Sequence, residues 1–117
     1  MKIEILPEEH IKTSVKEFNA DTEQMKSCRT NAIRRKCQRP GVYAFWDRYK
    51  CLYVGKSSVN VGGRILSHIR KNNPIHHIGD FLDENMNLEI WLCSKFESNI
   101  LEHIIINDLS PRLNISL

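Results

Sequence analysis

Long hydrophobic runs are missing from this 117-residue chain: apolar stretches such as Ile104-Ile105-Ile106 extend only a few residues, against the roughly 18 that a membrane span needs. A membrane-spanning helix is not expected. The N-terminus, Met1 to Pro7 followed by Glu8, Glu9 and His10, has no basic region leading into a long apolar one, so it lacks the pattern of a secretory signal and a cytoplasmic protein is expected. Glycine and proline show no excess, at an ordinary 5 and 4 residues, which argues against collagen-like, low-complexity or wholly disordered chains. No internal repeat is visible. The cysteines Cys28, Cys37, Cys51 and Cys93 form no C-x-x-C pair, so neither a zinc knuckle nor a redox motif is indicated. Reduced, buried thiols are expected instead; a zinc site joining Cys28, Cys37 and a histidine has no support from spacing.

What is present suits one compact unit with, at most, an appendage: 41% of residues are hydrophobic and 26% charged. The net charge is only +3, but it is unevenly spread. Residues 1–25 carry 3 Lys/Arg against 6 Asp/Glu, residues 26–71 carry 12 against 1, and residues 72–117 carry 2 against 7. The middle of the chain is thus a polycation between acidic ends. Such a segment either faces a polyanion, of which nucleic acid is the commonest, or lies on a solvated helix face and pairs with the acidic ends.

Leu6-Pro7-Glu8-Glu9 resembles a helix start, since proline is tolerated in the first turn and carboxylates favour the positive end of the helix dipole. Asn19-Ala20-Asp21 should break that helix. Asp21 or Thr22 can cap a second one, with Met25, Cys28, Ala32 and Ile33 at helical spacing and a basic opposite face. Arg39-Pro40-Gly41 ends it. The period then becomes extended: Val42 to Trp46 and Cys51 to Val54 read as a hairpin around Asp47-Arg48-Tyr49-Lys50. A helix is expected from about Arg64 to Lys71, a short one within Ile75 to Leu82, a third strand from Leu88 to Cys93, and a long helix from Lys95 to Leu109, ended before Pro111. The fold class is α+β, with a small three-stranded antiparallel or mixed sheet flanked by helices. Residues 1–38 form a helical extension with a basic helix, and residues 39–117 the main domain.

Three features could carry chemistry. Tyr43 and Tyr53 stand on adjacent hairpin strands, each near a glycine that leaves backbone uncovered for a ligand; the alternative is a cross-strand aromatic pair that only stabilises the sheet. Arg64 and His68 are four apart and project from one helix face, with Lys71 a turn further. A guanidinium grips phosphate at two points and an imidazole moves a proton near neutral pH, although these residues also suit the wet side of an amphipathic helix. Glu102 sits among Ile100, Leu101, Ile104 and Ile105, where an unpaired carboxylate is costly. It needs a cation, either an arginine of the basic segment or a divalent metal, and Mg²⁺ commonly takes one or two carboxylates with waters and phosphate oxygens.

Taken in order, Gly41-Val42-Tyr43, Tyr53-Val54-Gly55, Arg64, His68, Glu102 and Pro111-Arg112-Leu113-Asn114 resemble the GIY-YIG nuclease superfamily over about residues 40–114. Lys56 and the tail from Leu101 to Asn114 are similar to its bacterial excision-repair branch. The resemblance implies a Mg²⁺- or Mn²⁺-dependent endonuclease, one metal per active site, hydrolysing phosphodiester bonds in DNA, with RNA left open. It implies that Glu102 holds the metal and that Tyr43 is the leading candidate for general base, with Tyr53 positioning water or phosphate. Arg64 would stabilise the scissile phosphate and Asn114 would orient its neighbours. An unperturbed phenol has a pKa near 10, so the metal, Lys56 or His68 must favour the phenolate.

Family members usually bring recognition from fused domains or inserted loops, so here the duty falls on residues 1–38. Arg29, Arg34, Arg35, Lys36 and Arg39 are the expected phosphate contacts, with Lys71 and His77 as further candidates; with His76, His77 alternatively lies in a polar loop. Such contacts give salt-dependent affinity and little sequence reading, so specificity would be weak or would come from a homodimer or a partner protein. The alternative function is a catalytically silent module that binds nucleic acid or a partner on the same fold.

Overall fold

The computed structural model describes residues 7–23, 33–71 and 77–114, with backbone alone for 20–23. Strand β1 (Glu9–Ser14) leads directly into helix α1 (Val15–Glu23), and the hairpin β2 (Gly41–Asp47) and β3 (Lys50–Ser57) follows. Helix α2 (Val61–Ile69), a 3₁₀ turn (Ile78–Phe81), β4 (Asn87–Leu92), helix α3 (Lys95–Leu109) and a last 3₁₀ turn (Arg112–Asn114) complete the order. The sheet has 4 strands in the order β1-β4-β2-β3, and every neighbouring pair is antiparallel.

The hairpin forms where aromatic and β-branched residues flank a polar turn, closed by Asp47 opposite Lys50. A bulge shifts the register between Phe45 and Trp46. Beyond it Leu52 and Tyr53 both join the core on the Tyr43 and Phe45 side, while Cys51 and Val54 join the other. On the first side α1 and α2 supply Val15, Phe18, Val61, Ile65 and Leu66. On the second, Leu101 and Ile105 of α3 cover Val42, Ala44 and Val54. Ser94 and Glu97 form a capping box at the start of α3, which satisfies two backbone donors reciprocally. Ser110 ends the helix in the left-handed conformation, φ 45°, just before Pro111.

The expected three-stranded sheet gains a fourth strand from the segment expected to begin a helix. Glu9–Ser14 pairs with β4 along its whole length, from Glu9 opposite Leu92 to Ser14 opposite Asn87. The helix-start signal at Pro7-Glu8-Glu9 is local and modest, whereas an unpaired β4 edge leaves a row of donors and acceptors without partners. Tertiary pairing overrides propensity here, with Ile11 turned inward and His10 and Lys12 outward. The expected break at Asn19-Ala20-Asp21 is also absent, since α1 runs through it to Glu23. Most of the second expected helix, Cys28 and Arg29 included, lies outside the described residues; residues 33–36 are helical and stop at Cys37, ahead of Pro40-Gly41. The short helix expected within 75–82 is the 3₁₀ turn. No helix among the described residues is long and apolar enough to cross a membrane.

Candidate active site

Tyr43 lies at the centre of the hairpin and is 1% exposed. Its hydroxyl is 2.7 Å from His68 Nε2, a phenol–imidazole pair that can hold one proton between two heteroatoms. Tyr53 and Phe45 complete an aromatic cage, with Tyr53 and His68 rings edge to face at 5.7 Å and Tyr43 and Tyr53 rings 6.2 Å apart. Cross-strand register explains the adjoining glycine. Gly55 stands opposite Tyr43, and a Cβ there would overlap the Tyr43 hydroxyl. The glycine leaves room for the phenol that reaches His68.

Four-residue spacing on α2 brings Arg64 and His68 to one side of the helix, but not to one environment. Arg64 is exposed while His68 is 1% exposed, so the alternative of two groups on the wet side of an amphipathic helix holds for the arginine and not for the histidine. The N-terminal amides of α2 are consumed internally. Val61 N–H donates to Arg39 O and Gly62 N–H to Cys37 O, both at 2.9 Å, and Gly63 N–H donates to the Asn60 side chain, also at 2.9 Å. Gly62 packs directly on Cys37. The glycine pair therefore serves packing and capping, and Arg64 is the cation of this turn.

Glu102 is half-buried on α3. No described residue forms a hydrogen bond or ion pair with its carboxylate, so the arginine partner considered from sequence is not among them. Burial raises its pKa, and the charges of Lys56 and His103 partly offset this. Lys56 Nζ donates to Asn99 Oδ1, three residues before Glu102 and on the same stripe of α3. Sequence reasoning missed Asn99; the helical spacing of Lys95, Asn99 and Glu102 is the signal that marks it. The charges of Glu102 and Arg64 reach both phenols. Burial lifts the Tyr43 pKa well above its usual value, with Tyr53 and Glu102 adding and Arg64 opposing. Burial and then Glu102 raise Tyr53, again against Arg64. Both are neutral phenols near neutral pH unless positive charge is added beside them.

Asn114 has a defined task. β3 ends the strand order, and Asn114 supplies the pairing its outer edge lacks: Val54 N–H donates to Oδ1 at 2.9 Å and Nδ2 donates to Val54 O at 2.8 Å. This side chain fixes the backbone between Tyr53 and Gly55 instead of entering the aromatic cage.

Among the other sequence candidates, Lys36 pairs with Glu9 at 3.0 Å and Arg39 with Glu8, so these two cations join the acidic start of β1 as the solvated-face alternative foresaw. Arg34 is half-buried and Arg35 exposed, while Arg29 lies outside the described residues. Lys71 and His77 are exposed, beyond the end of α2 and at the start of the 3₁₀ turn. Cys37, Cys51 and Cys93 are free and buried, and burial pushes the Cys37 and Cys51 thiols up to about 12 and about 11, which suits inert core residues. Cys28 is outside the described residues.

The model of the UvrC-like GIY-YIG domain family matches residues 39–115, spanning every one of these site residues except Arg29, Arg34, Arg35 and Lys36. The chain belongs to this family. The UvrABC system protein C of Christiangramia forsetii is 35% identical over 80 residues, 67% of this chain and 13% of that protein. The corresponding protein of Alkalilimnicola ehrlichii is 33% identical over 87 residues, 73% of this chain and 14% of its own length. This GIY-YIG chain therefore matches only about one seventh of these relatives. Among solved structures, the GIY-YIG N-terminal endonuclease domain of UvrC from Thermotoga maritima, as a point mutant with its catalytic divalent cation, superposes with TM-score 0.55 and 26% identity, covering 73% of this chain and 92% of that one. Its magnesium-bound form gives TM-score 0.52 and 30% identity, covering 72% and 97%.

The donor set suits such a cation. Among the described residues no three His, Cys, Asp or Glu side chains gather as a closed metal cage, but Glu102 presents a partly desolvated carboxylate that makes no ion pair or hydrogen bond with any of them. One carboxylate, with water and substrate phosphate completing the shell, is the ligation Mg²⁺ favours.

Proposed function

We propose that this chain is a divalent-metal-dependent endonuclease that hydrolyses phosphodiester bonds in DNA, using Mg²⁺ or Mn²⁺, one per active site. The observation that carries the reading is convergence: Tyr43 is hydrogen-bonded to His68, Tyr53 packs against both rings, and the charges of Glu102 and Arg64 act on the two phenols. A nucleophile-activating group, an electrophilic rim and a metal-holding acid thus share one neighbourhood.

Glu102 holds the metal, which when bound supplies positive charge to the phosphate and the departing oxygen. Tyr43 acts as general base: its oxygen accepts a proton from the attacking water while its own passes to His68 Nε2, a relay that the 2.7 Å contact supports. Tyr53 orients the water or the phosphate. Arg64 binds the non-bridging phosphate oxygens, and Lys56, held by Asn99, adds charge beside Glu102. Asn114 positions the Tyr53-Val54-Gly55 backbone. Residues 39–117 form the nuclease unit. The preceding segment adds β1 and, with its basic residues, a phosphate-contacting flank for DNA in the cytoplasm, with specificity left to a partner protein or a second copy.

Incubation with supercoiled plasmid tests the reading. Nicking or linearisation that needs Mg²⁺, stops with chelator and falls at least 100-fold in Glu102→Ala is expected. Undiminished plasmid binding without cleavage of duplex, branched or single-stranded substrates would instead identify a silent binding module.

A further inference from the structure

A cavity of about 530 Å³ opens at the corner of the sheet where β1, β4 and the hairpin tip meet, lined by Lys12, Trp46, Arg48, Tyr49, Asn87 and Glu89. Helix α3 packs chiefly on β2 and β3 and leaves this corner open. Tyr49 is 95% exposed. Glu89 is hydrogen-bonded to His10 at 2.6 Å, whereas Lys12 and Arg48 are exposed and form no ion pair or hydrogen bond with any described residue. The cavity is thus aromatic, and its uncommitted charge is positive. The same chain carries the opposite surface. Phe81 ends the 3₁₀ turn before β4, is 54% exposed and joins no core cluster. Asp80, Asp83 and Glu84 beside it are exposed and without an ion pair among the described residues. A single exposed ring is ordinary, but a ring among carboxylates is the complement of an aromatic cavity flanked by cations.

We infer that a second copy of this chain docks at this corner, its Phe81 entering the cavity beside Trp46 and Tyr49 while Asp80, Asp83 and Glu84 meet Lys12 and Arg48. Glu84 precedes the cavity residue Asn87 by three positions, so projection and cavity belong to one region of the molecule. Two copies can then exchange them about a two-fold axis, each giving and each receiving, whereas a projection and a cavity at opposite poles would build an open chain. A nucleic-acid strand is the poorer occupant, because the cavity wall includes the Glu89 carboxylate and phosphate oxygens are acceptors only. Strand β3, with Lys56, forms the other edge of the sheet, so the pairing leaves the candidate active site uncovered. The inference extends the nuclease reading without depending on cleavage.

Sedimentation velocity of the full chain, from low micromolar to near millimolar, tests the pairing. A monomer–dimer equilibrium that weakens with salt is expected, and Phe81→Ser and Tyr49→Ser should each weaken it roughly tenfold while the unfolding midpoint holds. Charge exchange is the decisive arm. The cavity variant Lys12→Glu with Arg48→Glu and the projection variant Asp80→Lys with Glu84→Lys should each be monomeric alone. Their equimolar mixture should recover the dimer, because both contacts of the mixed pair again join opposite charges. Arg48→Glu alone replaces the cavity variant if the double change lowers the unfolding midpoint. A wild-type chain that stays monomeric, a dimer indifferent to Phe81→Ser and Tyr49→Ser, no recovery in the mixture, or growth beyond two copies overturns the inference. So does a monomeric chain whose plasmid binding is lost in the cavity variant, which would assign the corner to nucleic acid. Plasmid cleavage separates the two ideas: chelator-sensitive nicking by a chain that never pairs sinks the pairing alone, and pairing without nicking sinks the nuclease alone.

Discussion

On the sheet side covered by α2, Tyr43 and His68 are each 1% exposed and enclosed by rings. At the rim, Glu102 on α3 and Lys56 on β3 are half-buried, and Arg64 on α2 is exposed. The cage is dry and short of charge, so it can hold a proton between two fixed heteroatoms but cannot easily carry a phenolate. The rim can hold charge but has nothing to fix a proton's path. Neither region is sufficient for hydrolysis. Their electrostatic contact is the arrangement that could make a neutral phenol useful once a cation arrives.

That contrast breaks most sharply at Glu102. Glu102→Gln should abolish chelator-sensitive cleavage while raising the unfolding midpoint slightly. The carboxyl's folded pKa is raised, so the folded state binds its proton more tightly than the unfolded one. Its stabilising contribution is complete below the unfolded pKa and fades as pH rises through the folded value, so near neutrality the ionised form is a burden that glutamine removes. A lower midpoint would mean that Glu102 has a structural partner.

In the cage, Tyr43→Phe removes one oxygen and keeps the ring. A loss of about 100-fold or more in cleavage, with little change in folding, is expected if the His68 contact moves a proton. Because burial raises both phenols, wild-type cleavage should climb from neutral towards alkaline pH, and that rise should flatten in Tyr43→Phe. An unchanged pH profile would shift the base role to Tyr53.

Asn114→Ala sharpens the comparison from the edge of the sheet. It removes two hydrogen bonds to Val54 and should cost about 1–3 kcal/mol in denaturant unfolding, with a fall in cleavage because Tyr53 is held less firmly. Metal affinity at Glu102 should change little, as isothermal titration would show. The smallest effect is expected in the basic segment before β2. The triple reversal Arg34→Glu, Arg35→Glu and Lys36→Glu should weaken DNA binding severalfold and flatten its salt dependence, moderated because Lys36 is already paired with Glu9. Binding with the same salt slope would remove this segment from the interface.

Much of the main domain was legible from local pattern. α3 runs over the expected residues because Ser94 and Glu97 cap it and Ser110-Pro111 stops it, and these are signals carried by a few neighbouring side chains. The hairpin follows from aromatic and β-branched runs around a polar turn for the same reason. β1 was misread because its conformation depends on the edge of β4, nearly eighty residues later. Asn99 was overlooked because its significance comes from Lys56 on another element.

Sequence alone determined which chemical groups are available, their order along the chain, and the helical or extended period that carries most of them, since each depends on residue type and short-range spacing. Only the tertiary structure decided that His68 lies in the cage and Arg64 at its rim, that Lys36 and Arg39 meet the start of β1, and that Asn114 closes the edge of β3. Burial and pairing belong to contacts between segments distant in sequence, and no local pattern encodes how much water each side chain retains.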